Sequence, residues 1–271
     1  MYTCKMNIDI GKELAEVRFM RGLSKRQLAA MAGVSDSTVM RIENGDVDPS
    51  LRTITRIFEA AGCDFRGEVV CRSVPSAVAA ARSVLDPESG LGPYPGAQVW
   101  LDRWTAAGIV KVDEDGSLRA RVPRDLAEIA GLTARLSSRP GIATFRREGS
   151  FDEIVRRIEQ SGVAWAATGS WAANRLTQSA DAPWPVFYVA DVEAVVESAG
   201  FVERKPKTIQ NVMSLIPFDG VADVGVSEDD VGFRWADPLQ VTIDCFGGTG
   251  RMPDQADALA DYFDFMASAN A

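Results

Sequence analysis

Between Ser24 and Gly62 the chain carries start and stop signals so often that no helix there can run beyond about three turns. Ser24 and Gln27 form a capping box, in which the hydroxyl accepts from the third helical amide and the Gln side chain reaches back. Gly33 closes that helix and permits a tight turn, and Ser35 caps the next. Asn44-Gly45 ends it, Pro49-Ser50 opens another, and Gly62 stops that one. Upstream, Ile10, Leu14 and Val17 recur at helical spacing before Gly22. Helices this short are marginal alone in water, so they must stabilise one another through apolar faces. Those faces are Leu28, Ala29 and Ala32, then Val39 and Ile42, then Leu51, Ile54, Ile57 and Phe58. The expectation is a compact all-α unit of four or five helices, two of them joined by a glycine turn.

Composition narrows the chemistry. The 271 residues contain no histidine, which excludes Ser-His-Asp and Cys-His nucleophile systems, His-ligated zinc and imidazole acid–base work. Cys4, Cys63, Cys71 and Cys245 make no CxxC pair and are too sparse for a secreted disulfide scaffold. Reduced thiols in a cytoplasm are expected, with no metal, no cofactor and no catalytic residue assigned. No apolar run reaches about 18 residues, and the N-terminus lacks a basic-then-apolar leader pattern, so neither a membrane span nor export is expected.

A net charge of −9 argues against nucleic acid until it is divided along the chain. Residues 1–72 hold 11 Lys/Arg against 10 Asp/Glu, and Arg18–Arg56 holds seven against four. The acidity gathers at residues 221–271, with ten Asp/Glu against two Arg. A local basic face is enough for phosphate contact, and whole-chain charge can hide it. The acidic end must then point away from DNA or meet a basic partner.

The length predicts more than one domain. Residues 73–85 read as an Ala-rich helix, and the Pro/Gly-rich Asp86–Gly96 as a boundary. A helix at Val99–Ala107 precedes two β runs, Ile109–Val112 and Leu118–Val122, joined by Asp113-Glu114-Asp115-Gly116, a strong hairpin signal. Helix then hairpin is the shape of a winged-helix module, and also of many α+β fragments. Beyond Pro140, helices are expected at Phe151–Ser161, Trp171–Leu176 and Val192–Ser198, with a last one at Gln255–Met266. Strands are expected at Val163–Ala167, Pro185–Ala190, Val212–Ile216, Val221–Val226 and Val241–Phe246. The chain is therefore read as multi-domain α and α/β. It comprises a helix-turn-helix unit at 1–72, a helix and linker at 73–96, a helix-plus-hairpin module at 97–139 and a mixed α/β domain at 140–271.

Leu28-Ala29, Gly33-Val34-Ser35, Ile42-Glu43-x-Gly45 and Pro49-Ser50-Leu51 together resemble the XRE/Cro-repressor helix-turn-helix domain, over roughly residues 8–68. The resemblance implies a sequence-specific regulator whose recognition helix, after Ser35, enters the major groove. Arg18 and Glu43 fall where this family pairs an arginine on its first helix with the glutamate ending the recognition helix. Asp36, Ser37, Thr38, Met40 and Arg41 are the outward side chains of that helix, and Asp36, Ser37 and Arg41 lie where base edges are read. Arg41 can bond O6 and N7 of guanine, and Asp36 can accept from cytosine N4. Lys25, Ser50 and Arg52 are placed for phosphate. Lys25 stands where the family usually has Gln; it still reaches phosphate but cannot accept a hydrogen bond. The implied partner is a double-stranded operator, an inverted repeat read by a homodimer.

Ala167-Thr168-Gly169-Ser170-Trp171-Ala172, the Val-rich run Val186–Val189 and Val241–Gly248 leading to Arg251 resemble the C-terminal domain of AbiEi-type antitoxins, over about residues 140–267. That family implies an antitoxin that represses its own operon and binds a nucleotidyltransferase-like toxin. Its relatives carry a winged-helix N-terminus, from which an XRE-like domain departs. Two other readings use the same residues. Gly169-Ser170, Asp191-x-Glu193 and Asp244 can mimic a nucleotidyltransferase's phosphate and Mg²⁺ groups, although Asp191 is equally an N-cap and Glu193 a first-turn acid. Trp165, Trp171, Trp184 and Trp235 can line a small-molecule sensor pocket or fill a core. The last helix carries Asp254, Asp257, Asp261 and Asp264 opposite Leu259, Tyr262, Phe263 and Met266, either a solvated face or a dock for a basic toxin. The leading reading is a non-catalytic, cytoplasmic, autorepressing antitoxin. Arg41→Ala is expected to relax base preference at one operator position at a cost of about 1–3 kcal/mol, and Lys25→Ala to weaken all sequences alike. Selection from a randomised duplex pool followed by titration separates the two.

Overall fold

A computed structural model describes residues 9–65, 69–177, 184–203 and 212–269, with backbone alone for 69–71 and 262–269. Its first four helices are α1 (Ile10–Met20), α2 (Lys25–Ala32), α3 (Asp36–Glu43) and α4 (Leu51–Ala60). Their ends are the ones the sequence marks. The Ser24 hydroxyl accepts from the Gln27 amide at 3.2 Å while the Gln27 side chain accepts from the Ser24 amide at 2.7 Å. Gly33 ends α2 at φ 63°, a backbone region that costs a side chain but not a glycine. Ser35 and Ser50 cap α3 and α4. The helices bury Leu14, Val17, Leu28, Ala29, Val39, Ile42, Ile54, Ile57 and Phe58 against one another. Leu51 is the exception: it opens α4 facing out, 66% exposed.

A hairpin not read from the sequence follows, β1 (Cys63–Phe65) paired antiparallel with β2 (Val69–Cys71). Next come α5 (Pro75–Leu85) and α6 (Ala97–Ala106), which pack on each other. The Pro/Gly-rich stretch 86–96 connects these two packed helices. Ala77, Ala79, Ala80 and Ala81 are all buried, the small residues letting neighbouring helices close in on α5. The predicted hairpin is present as β3 (Val110–Val112) and β4 (Leu118–Ala120). It packs back on α5 and α6 and leads into α7 (Pro123–Thr133), a helix not read from the sequence, with Pro123 at its N1 position and Asp125 in its first turn.

The remaining elements are β5 (Ala143–Arg146), α8 (Phe151–Glu159), β6 (Trp165–Thr168), α9 (Gly169–Thr177), β7 (Val186–Val189), α10 (Val192–Ala199), β8 (Val212–Pro217), β9 (Ser227–Glu228), β10 (Arg234–Trp235), α11 (Pro238–Phe246) and α12 (Met252–Ala269). Six strands form one mixed sheet in the order β5-β8-β7-β6-β10-β9, with β7–β8 and β6–β10 parallel. Two expected strands are not strands. Val221–Val226 is a turn region. Val241–Phe246 lies within α11, which starts at an Asp237 cap and Pro238 and is buried from Gln240 to Phe246. A segment buried on all sides shows no polar period, so its apolar run reads alike as strand or helix. The expected multi-domain α and α/β class is present, as a helical N-terminal region followed by a mixed α/β region.

α7 and α11 cross at two glycines. A Cβ on Gly131 would collide with the Ile243 carbonyl and stand 2.8 Å from the Gly247 nitrogen. Gly131→Ala is expected to cost about 1–3 kcal/mol by forcing these helices apart. A melting temperature lowered by several degrees, with the helical circular dichroism retained, is the measurement that checks it.

Candidate nucleic-acid interface

α3 is built with two different faces. Val39 and Ile42 are buried, while Asp36, Ser37, Met40 and Arg41 face solvent, Met40 at 45% exposure. The Ser35 hydroxyl, besides capping the helix, bonds those of Ser37 at 2.9 Å and Thr38 at 2.7 Å. These two side chains are thus held along the start of the helix. Asp36 accepts at 3.2 Å from the Ser37 amide. Arg41 and Arg52 make no ion pair among the described residues, so both guanidiniums remain available to an anion or a base edge. Ser50 accepts from the Thr53 amide at 3.2 Å, leaving Arg52 exposed one residue into α4.

The buried end of α3 is locked from the other side. Arg18 Nε donates to Glu43 at 2.7 Å and Nη2 at 3.1 Å, a two-point pair, while Nη1 donates to the Leu23 carbonyl at 3.1 Å. This one guanidinium ties α1, the α1–α2 turn and the end of α3. The Glu43 side chain is 5% exposed. Burial alone would raise its pKa, but hydrogen bonds from Arg18 and Lys25 outweigh it and hold the carboxyl below the usual range. The Lys25 ammonium is 3.2 Å from the same carboxylate, a contact the sequence did not suggest. Lys25 is 40% exposed and so still borders solvent at the start of α2.

This arrangement agrees with comparison to known proteins. Residues 14–67 match the family model described as Helix-turn-helix. They form an XRE-type helix-turn-helix domain. Over 52 residues the chain is 35% identical to the HTH-type transcriptional regulator PuuR of Escherichia coli (strain K12) and to the protein of that name from Shigella flexneri. The match covers 19% of this chain and 28% of each relative, so less than a third of either relative's length is represented. No solved structure matches the chain.

The helix-turn-helix domain is fastened to the rest by a residue that sequence reasoning missed. Arg21, 3% exposed, donates to the carbonyls of Leu132 at 2.6 Å, Thr133 at 2.9 Å and Arg72 at 2.9 Å. Nothing local in the sequence marks it, because its acceptors are backbone groups up to 112 residues away.

The candidate groups of the C-terminal half do not converge. Asp191 caps α10, accepting from the Ala194 amide at 3.0 Å, and Glu193 is its first-turn acid. Asp244 is fully buried on α11, with Arg139, Thr168, Tyr188 and Gln240 all donating to it. Burial pushes its carboxyl up, with the Arg139 charge and the donors pulling it down. Among the described residues, no three acidic or thiol groups lie close enough to share a metal ion. Gly169-Ser170 does open a helix, but Ser170 is buried. The four tryptophans are packing residues: Phe151 stacks on Trp235 with centroids 5.5 Å apart and meets Trp171 edge-on at 4.5 Å. Trp165 packs on Phe187, and Trp184 donates to Ser214 at 3.0 Å. On α12, Asp257 pairs with Arg124 at 2.7 Å, while Asp254 and Asp261 are exposed. The side chains of Tyr262, Phe263, Asp264 and Met266 lie outside the described residues. No helix among the described residues is long and apolar enough to cross a membrane.

A carboxylate held below its unfolded pKa contributes stability that is present above the unfolded value and is lost as pH falls through the folded one. Glu43→Gln is therefore expected to lower the melting temperature at neutral pH, and the deficit to shrink as pH drops below the carboxylate range. Thermal melts of both proteins across a pH series check it.

Proposed function

We propose that this chain is a sequence-specific DNA-binding transcriptional regulator, with α3 of the XRE-type domain reading base edges in the major groove. The observation that carries this is the asymmetry of α3. Its inner face is locked through Glu43 to Arg18, and its outer face presents Asp36, Ser37, Met40 and an Arg41 with no ion pair among the described residues. Lys25, Ser50 and Arg52 flank that face as phosphate contacts. Two copies bound to an inverted repeat would read half-sites about one helical turn apart.

The finer reading is that of an autorepressing antitoxin in the cytoplasm, its non-catalytic C-terminal domain neutralising a nucleotidyltransferase-like toxin. What supports it is the resemblance over residues 140–267, together with an acidic end whose Asp254 and Asp261 face solvent without a basic partner among the described residues. The acid that a catalytic reading would need, Asp244, is instead consumed by internal donors.

The full chain, tagged and recovered from its native host, is expected to co-purify with one basic protein in stoichiometric amount. Asp254→Lys with Asp261→Lys should release that protein. Recovery of the chain alone would overturn the antitoxin reading and leave DNA recognition standing. Magnesium-dependent nucleotide transfer abolished by Asp244→Asn would overturn the non-catalytic one.

A further inference from the structure

The β3–β4 hairpin has one face in the core and one in solvent. Val110 and Ala120 point inward and are buried. Lys111 and Arg119 alternate onto the other face and are exposed, and Arg121, just past the end of β4, is exposed as well. Lys111 stands directly opposite Arg119 in the register, a like-charge pair that destabilises a sheet unless an anion lies across it. Arg119 has one acid beside it, Asp113 at 3.2 Å. Lys111 and Arg121 have no ion pair among the described residues.

Arg121 also lines a groove of about 560 Å³ whose opposite wall is the start of α2: Ser24, Arg26 and Gln27. Arg26 is likewise exposed and without an ion pair among the described residues. The groove includes the apolar Ala30, Ile109 and Ile129 and one acid, Asp125, whose carboxylate already lies 3.5 Å from Arg124. Two uncommitted guanidiniums thus face a groove in which the lone carboxylate has its own cation. Arg26 and Lys25 both stand in the first turn of α2, so this groove begins at the helix end expected to meet phosphates. The basic groups extend outward from it along the hairpin as a line rather than closing into a pocket. A line of cations suits a polyanion strand better than a small anion. The acids Asp113, Glu114 and Asp115 occupy the far turn of the hairpin, so a strand of phosphates would cross its base and not its tip.

We propose that the groove between α2 and the β3–β4 hairpin is a second DNA-backbone contact, in which Arg26 and Arg121, with Lys111 and Arg119 beyond them, hold phosphates outside the bases read by α3. This rests on the DNA-binding reading above. It adds a non-reading contact that lengthens the footprint on one side of each half-site.

The test uses the full chain and a duplex that the wild-type protein recovers from a randomised pool. Affinity is measured against salt for wild type, Arg26→Ala, Arg121→Ala, the double variant and Arg121→Lys. Each phosphate contact contributes about 0.9 to the slope of log affinity against log salt, so each Ala variant should flatten it by about that amount. Arg121→Lys should keep the slope, because phosphate needs only the charge. Base preference should be unchanged, unlike in Arg41→Ala, and so should the melting temperature. Trimming the duplex to the bases read by α3 should abolish the difference between wild type and the double variant. A double variant with the wild-type slope, or an Arg121→Ala variant with altered base preference, would overturn the groove while leaving the helix-turn-helix reading intact. A wild-type protein that recovers no duplex would overturn both.

Discussion

Arg139 and Asp244 are both removed from water, and the α/β region is arranged so that neither is left unpaired. Their guanidinium and carboxylate meet at 2.9 Å. The cost of burying two charges is repaid only when the remaining donors and acceptors are also satisfied. Here Thr168 at the end of β6, Tyr188 on β7 and Gln240 one turn back on α11 donate to the carboxylate at 2.7, 2.9 and 2.9 Å. Arg139 in turn donates to the Ala134 carbonyl after α7 at 2.8 Å and faces Asp219 at 3.4 Å. Burial pushes the Tyr188 hydroxyl well above its ordinary pKa, so it stays protonated and keeps donating. A slip of any of these elements would strand a charge in the core. That argues for the network as a device that selects one arrangement of α11 against the sheet.

The same chemistry, a guanidinium spread over several acceptors, recurs where the regions of the chain meet. Arg82 on α5 is wholly buried and donates to the carbonyls of Val221 and Val224 at 2.6 and 3.1 Å, beside Asp237. Arg21 joins the helix-turn-helix domain to the carbonyls ending α7. Arginine suits this work because its five donors lie in one plane and remain charged when buried. For function, the consequence is that α3 is presented by a domain anchored at several points. Its own packing face is secured by Arg18 and Glu43, and only its outer residues are left to recognition.

The helix-turn-helix domain was legible because its information is local. Each cap at Ser24, Ser35 and Ser50 acts over three residues, and Gly33 answers to the backbone of a single turn. The outward side chains of α3 follow from helical period once those ends are known. The Arg18–Glu43 pair, 25 residues apart, was legible only through family resemblance. Lys25 at Glu43 and Arg26 across from Arg121 were not legible, since no spacing predicts which surfaces two modules bring together. Leu51 read as core by period yet faces out, because the first residue of a helix can precede the packed turn.

By itself, then, the sequence determined the local units: where short helices start and stop, which hairpin closes at Asp113–Gly116, and which face of α3 is polar. These follow from backbone conformation and hydrogen bonds spanning a few residues. Tertiary structure alone decided that Val241–Phe246 is helix and that Val221–Val226 is a turn receiving Arg82. In each case the deciding partner lies far along the chain. A fully buried run carries no polar period of its own, so the network around Asp244 and the α7–α11 crossing, rather than local propensity, set its conformation.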